Sequence, residues 1–145
     1  RKTLRDKYVK GKTVLNTFSY TGAFSVASAL GGATRTTSVD LAKRSLPKTI
    51  EHFNINNIDL AKQSIIVDDV FDYFKYSLRK KMIFDVVVID PPSFARSKKR
   101  VFSASKDYVK LLKEVIQITA KNGLIVASTN SANLSMMTFY DFIKK

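Results

Sequence analysis

Acidic residues close three consecutive apolar runs in a chain that is otherwise strongly basic: Asp40 follows Thr36-Thr37-Ser38-Val39, Asp68-Asp69 follow Ser64-Ile65-Ile66-Val67, and Asp90 follows Phe84-Asp85-Val86-Val87-Val88-Ile89. A carboxylate at the end of a buried strand is an acceptor for hydroxyl and amino groups. A fourth run, Thr13-Val14-Leu15-Asn16, leads into the turn Phe18-Ser19-Tyr20-Thr21-Gly22. Asp40 lies 18 residues beyond Gly22. An acid at about that distance, closing a second strand, accepts hydrogen bonds from ribose hydroxyls in dinucleotide-type folds. A pyrophosphate would call for a G-x-G-x-x-G turn, and here Gly22 stands alone, which suits an adenosine-bearing ligand without phosphates. S-adenosylmethionine is such a ligand. Taken singly, Gly22 opens a helix and Asp40 caps one; in this order they point to a cofactor.

Asp69 is expected at the adenine amino group or its surroundings, with Val70 and Phe71 packing beside the ring. Asp68 could serve instead, and spacing does not decide between them. Either also suits the N-cap of the helix that follows. In Asp90-Pro91-Pro92-Ser93-Phe94 two prolines hold the chain extended directly after a buried strand, so that backbone carbonyls project into a cleft. Such an edge can orient a flat base, and Phe94 can stack on it.

The elements that must position these groups alternate along the chain. Strands are expected at Thr13–Asn16, Thr36–Val39, Ser64–Val67, Phe84–Ile89 and Leu124–Ser128. Helices are expected from about Ala23 to Leu30, from near Ser45 with Leu46, Ile50 and Phe53 on one face, around Phe71 to Leu78, from about Ser105 to Ala120, and from near Ser135. Five β-α repeats with uniformly apolar strands predict an α/β fold, a doubly wound and mainly parallel sheet covered by helices on both faces. Parallel sheets bind ligands at the C-terminal ends of their strands, where the acids above stand. Residues 1–145 are read as one domain, cut from something longer.

Twenty-five Lys and Arg against 12 Asp and Glu leave +13 over 145 residues. That balance points to a polyanionic partner, because phosphate neutralisation supplies most non-specific nucleic-acid affinity. The cations cluster at the N-terminus (Arg1, Lys2, Arg5, Lys7, Lys10, Lys12), at Arg79-Lys80-Lys81, and at Arg96, Lys98, Lys99 and Arg100, directly after the Pro-Pro segment. The last cluster is the expected RNA contact. No apolar run reaches the roughly 18 residues of a membrane span, and a cytoplasmic protein with no membrane partner is expected. Cysteine is absent, which removes disulfides, thiolate metal sites and cysteine nucleophiles, and no metal is expected. His52, the sole histidine, is expected on the surface away from the cleft, and Tyr73 and Tyr76 are expected in packing.

Leu15 to Gly22, Ser38-Val39-Asp40, Asp69-Val70-Phe71 and Asp85 to Lys98 together resemble the bacterial large-subunit rRNA methyltransferases, whose full-length members often carry an N-terminal PUA-like RNA-binding domain. The resemblance implies a class I, Rossmann-like methyltransferase fold with S-adenosylmethionine as donor and large-subunit rRNA as partner. It places Tyr20, Thr21 and Gly22 at the methionine end of the cofactor with Asn16, Phe18 and Ser19 close by. It puts Asp40, beside Leu41, at the ribose, Asp69 at the adenine, and Asp90 through Phe94 at the acceptor base. The antiparallel hairpin that such enzymes add after the fifth helix is expected to be missing from this stretch.

Some members of that family methylate cytosine C5, which needs a covalent nucleophile, usually cysteine, after strand four or five. Here those strands lead into Asp90-Pro91-Pro92 and Ser128-Thr129-Asn130-Ser131. A base nitrogen, guanine N7 first, is therefore the expected acceptor, with Asp90 or Asn130 as hydrogen-bond partner. A small-molecule methyltransferase is disfavoured by the charge. An RNA-binding module that has lost catalysis is disfavoured by the intact acidic set.

Overall fold

The computed structural model describes residues 8–98, 100–131 and 134–141, with side chains described through Ala127. In chain order the elements are β1 (Thr13–Thr17), α1 (Ala23–Leu30), β2 (Arg35–Asp40), α2 (Ser45–Ile55), β3 (Gln63–Val67), α3 (Val70–Arg79), β4 (Phe84–Ile89), β5 (Phe94–Arg96), β6 (Val101–Ser103), α4 (Ala104–Gln117), β7 (Thr119–Ser131) and β8 (Leu134–Asp141), with a 3-10 turn at Leu60–Lys62. Six strands form one sheet in the order β3-β2-β1-β4-β7-β8. The first five pair in parallel, and strand order reverses between β1 and β4. This is the expected mainly parallel, doubly wound α/β sheet.

Strand alternation divides the core into two layers. Leu15, Val39, Val87, Ile89, Ile125 and Ala127 face α3 and α4, where they meet Phe71, Phe74, Leu111 and Val115. Val14, Val86, Val88, Leu124 and Val126 form the opposite layer, with Phe24 packed against it. A period of two within each strand sends neighbouring residues to opposite faces, so a continuous Val-Val-Val-Ile run is read from both sides. Small residues bring α1 close to the sheet. Ser25 and Ser28 are buried in it, and Ser25 Oγ lies 2.6 Å from Ser38 Oγ of β2. Pro47 falls in the first turn of α2, where backbone N–H groups have no partner within the helix and none is lost.

One expectation for the C-terminal stretch is corrected. No helix begins near Ser135: Leu134–Asp141 is a strand, antiparallel to β7, with Leu124 opposite Asp141 and Ser131 opposite Leu134. An antiparallel pair thus does lie in this stretch, joined directly to β7 rather than through a fifth helix. Thr138, Phe139 and Tyr140 suit a pleated strand, and pairing satisfies backbone groups along the edge of β7 that β4 does not cover. A second difference is the hairpin β5–β6, in a stretch for which no strand was expected. Phe94 pairs with Ser103, Ala95 with Phe102 and Arg96 with Val101. Among the described residues, no helix is long and apolar enough to cross a membrane.

Candidate functional site: a carboxylate-edged cleft under a basic hairpin

The turn after β1 is held in an unusual backbone shape. Phe18, Tyr20 and Gly22 have φ of 52°, 52° and 78°. Two non-glycine residues in the left-handed region within three positions are costly, and such strain gathers at ligand-binding turns. Neighbours fix the shape. Ser19 N–H donates to Val39 O (3.1 Å) and Gly22 N–H to Ser19 O (2.8 Å). Asp40 Oδ2 accepts from Tyr20 N–H (2.9 Å), and its Oδ1 accepts from Ala42 N–H (2.8 Å). One carboxylate therefore ties the loops after β1 and β2 together. Each oxygen has a second lone-pair direction, so acceptor capacity remains for a ligand hydroxyl.

His52 supports the same turn from behind. Its Nδ1–H donates to Thr21 O at 2.8 Å. This corrects the expectation of a surface histidine away from the cleft: it is half-buried on α2, against the turn but not in the cavity. Tyr73 is packed as expected, whereas Tyr76 is 39% exposed, with its ring 5.8 Å from that of Tyr73.

Beside this turn, at the C-terminal ends of the parallel strands, lies a cavity of about 370 Å³. That volume is in the range of small-molecule sites. Asp40, Asp69 and Asp90 all line it, together with Tyr20, Leu41 and Val70. Rings from three elements form an apolar wall: Phe18 stands 5.7 Å from Phe102, which stands 5.8 Å from Phe71. Asp68 does not line the cavity; its Oδ1 accepts from Asp69 N–H at 2.8 Å. Of the two it is Asp69 that lines the cavity, and it is also the N-cap of α3 through Phe71 N–H and Asp72 N–H.

Of the other expected residues, Phe18 and Pro92 reach the cavity, and Thr21 lines an adjoining hollow with Tyr20, Arg44 and Lys48. Asn16, Ser19, Gly22, Pro91, Ser93 and Phe94 lie around it without lining it. Asn16 is buried beneath the turn; its Nδ2 donates to Ser25 Oγ at 3.1 Å, and its Oδ1 is buried without a partner. Phe94 is 56% exposed on the hairpin, with the Arg96 guanidinium 5.9 Å from its ring centre.

The basic cluster divides in the structure. Arg96 and Lys98 are exposed, and Lys99 lies outside the described residues, as do Arg1, Lys2, Arg5 and Lys7. Arg100 turns inward. Its Nη1 donates to Asp69 Oδ1 and, at 3.1 Å, to Asp72 Oδ1. Its guanidinium sits 5.6 Å from the Phe71 ring centre. Partial burial alone would lower the Arg100 pKa, but the bonds and charges of Asp72 and Asp69 outweigh it and raise the value. Sequence reading missed Ala95, Ser97 and Phe102 as cavity residues. The signal was present in Val101-Phe102-Ser103, a short strand-like run behind a basic turn.

The residues fit a phosphate-free adenosine cofactor: a carboxylate joins the turns after β1 and β2, a second closes β3, and aromatic and aliphatic side chains lie between. A family model described as S-adenosylmethionine-dependent methyltransferase matches residues 1–142. A Bacillus subtilis protein named "Putative ribosomal RNA large subunit methyltransferase YwbD" is 64% identical over 143 residues, covering 99% of this chain and 36% of that protein. Ribosomal RNA large subunit methyltransferase K of Neisseria meningitidis is 38% identical over 122 residues, covering 83% and 34%. The crystal structure of SMU.776, described as "a putative methyltransferase complexed with SAH", superposes with a TM-score of 0.87 at 57% identity, covering 91% of this chain and 34% of that one. The chain therefore spans about a third of the length of these relatives. With the family match running over nearly all of its length, the chain belongs to the S-adenosylmethionine-dependent methyltransferases.

Proposed function

We propose that the protein containing this chain methylates a base of large-subunit ribosomal RNA at a ring nitrogen, guanine N7 foremost. The observation that carries this reading is the juxtaposition of a carboxylate-edged cofactor cavity with an exposed Phe94-Arg96 pair at its rim. The names of the relatives above support it. In this reading Asp40, with Leu41, holds the ribose, and Asp69 and Val70 hold the adenine. Asn16, Phe18, Ser19, Tyr20, Thr21 and Gly22 form the methionine end. S-adenosylmethionine supplies a methyl group activated by the sulfonium.

The chain's own task is to position and to exclude water. Phe94 stacks on the acceptor base, and Asp90 with Pro91, Pro92 and Ser93 sets its edge. Arg96 and Lys98 take the neighbouring phosphates. A ring nitrogen such as N7 already carries a lone pair, so no base has to remove a proton before attack. Carbon 5 of cytosine would need a covalent nucleophile, and the chain has no cysteine.

The test is to incubate the full-length protein with large-subunit rRNA and S-adenosylmethionine, digest the product and identify the methylated nucleoside by mass spectrometry. The expected product is 7-methylguanosine. Recovery of 5-methylcytidine would overturn the acceptor assignment, and methyl transfer to small molecules with none to RNA would overturn the RNA reading.

A further inference from the structure

We infer that Arg100 is a positioning residue for the cofactor's adenine and not an RNA contact, in spite of its place in the basic cluster. The inference rests on the reading of Asp69 as the adenine residue and adds what holds that carboxylate in place. Asp69 Oδ1 accepts from three donors: Phe71 N–H (2.9 Å), Asp72 N–H (3.2 Å) and Arg100 Nη1. Among the described residues no hydrogen bond to Asp69 Oδ2 is found, so one oxygen is locked and the other is available to a donor. A carboxylate with one oxygen fixed by three donors cannot rotate freely, which aims the second. An exocyclic amino group is a donor that such an oxygen can take.

Arg100 reaches Asp69 from the turn between β5 and β6. Ser97 N–H donates to Arg100 O (2.9 Å), and Arg100 N–H donates to Ser97 Oγ (3.2 Å), which closes the turn between β5 and β6. Ala95, Ser97, Arg100 and Phe102 of this hairpin all line the cavity. The bridge from Arg100 to Asp69 and Asp72 therefore latches the hairpin to the N-terminus of α3. Two carboxylates neutralise the guanidinium, so it contributes little to the field seen by a phosphate. Arg96 and Lys98, exposed on the same hairpin, remain for that role.

Both bonds leave one nitrogen, Nη1. A single ammonium can make the same two contacts, since it is a compact charge with several donors. The inference thus predicts rescue by lysine, which a planar two-nitrogen fork would not allow.

The experiment uses the full-length protein and the variants Arg100→Gln, Arg100→Lys, Asp72→Asn and the double Arg96→Ala/Lys98→Ala. Calorimetry measures binding of S-adenosylhomocysteine and of S-inosylhomocysteine, which lacks the adenine amino group. RNA affinity is measured against salt. Arg100→Gln is expected to weaken S-adenosylhomocysteine about five- to tenfold, the scale of one partly exposed charged hydrogen bond. It should also narrow the preference over the inosine analogue, which a loss of fold alone would not do. Arg100→Lys should recover most of both, and Asp72→Asn should show the smaller loss of half the bridge. The RNA salt slope should stay unchanged in Arg100→Gln and fall by about 0.7 per charge removed in the double variant, the single-strand value. Unchanged cofactor affinity in Arg100→Gln together with a reduced salt slope would overturn the inference and make Arg100 an RNA contact. Failure of the wild-type protein to bind S-adenosylhomocysteine would instead strike the cofactor reading itself.

Discussion

Gly22 is where the backbone shape of the turn after β1 meets the packing of α2, and replacing it with alanine gives a calculable outcome. Gly22 has φ of 78° and ψ of 19° at the N-cap of α1, a left-handed conformation that costs an L-residue about 1–2 kcal/mol. A Cβ there would also lie 2.6 Å from Thr49 Cγ2, 3.2 Å from Thr49 Oγ1 and 3.3 Å from Thr49 Cβ. Thr49 is fully buried on α2 and β-branched, so it has few ways to move. Overpacking of this kind adds about 1–3 kcal/mol, for a total of about 2–5 kcal/mol. Serine at position 49 removes Cγ2 and keeps the hydroxyl that donates to Tyr20 O at 3.5 Å. The double variant Gly22→Ala/Thr49→Ser should therefore regain the packing part and retain the backbone part, leaving a coupling of about 1–3 kcal/mol between the sites. Urea denaturation followed by far-UV circular dichroism measures all four species, and titration with S-adenosylhomocysteine reports the turn. Equal midpoints for Gly22→Ala and wild type, or strict additivity in the cycle, would refute the argument.

Three further outcomes are expected. Asp40→Ala removes an acceptor that also holds Tyr20 N–H and Ala42 N–H, so calorimetry should find S-adenosylhomocysteine weakened by at least about tenfold, the loss of charged hydrogen bonds; unchanged affinity would remove Asp40 from the site. Glu114 on α4 has a buried Oε2 without a hydrogen-bond partner, and burial raises its pKa above the ordinary 4.5 against the opposing charges of Lys110, Lys75 and Arg100, with Asp69 adding to the rise. The native state then holds a proton that the unfolded chain has released, so stability falls as pH rises from about 4.5 through the raised value. Glu114→Gln should be more stable than wild type above that window and equal to it below, as followed by urea midpoints across pH; an equal difference at every pH would exclude titration as the cause. Leu111→Ala empties a fully buried position between α4 and the sheet and should cost about 2–5 kcal/mol in the same denaturation assay; a loss under 1 kcal/mol would mean that the layer is not packed as described.

The sequence by itself determined the sheet and the edge on which its acids stand. Strand runs such as Val86-Val87-Val88-Ile89 are apolar on both faces, which only a sheet covered on both sides can bury, and acids placed at their ends fall on one edge whatever the crossings. Helix starts were legible where chemistry is local: Ser45, two residues before Pro47, begins α2, and Asp69 caps α3. The tertiary structure decided what depends on contacts between distant residues. Asp68 and Asp69 are equivalent by spacing, and only the packing of α3 turns one toward the cavity. His52 is 31 residues from the carbonyl it supports. Arg100 belongs by sequence to a cationic run, yet it turns inward to Asp69 and Asp72, 31 and 28 residues away, through charge-assisted hydrogen bonds that only the fold brings within reach. The strand β8 stands where the pattern reads as helix, because the open edge of β7 is a property of the assembled sheet and of no local run of residues.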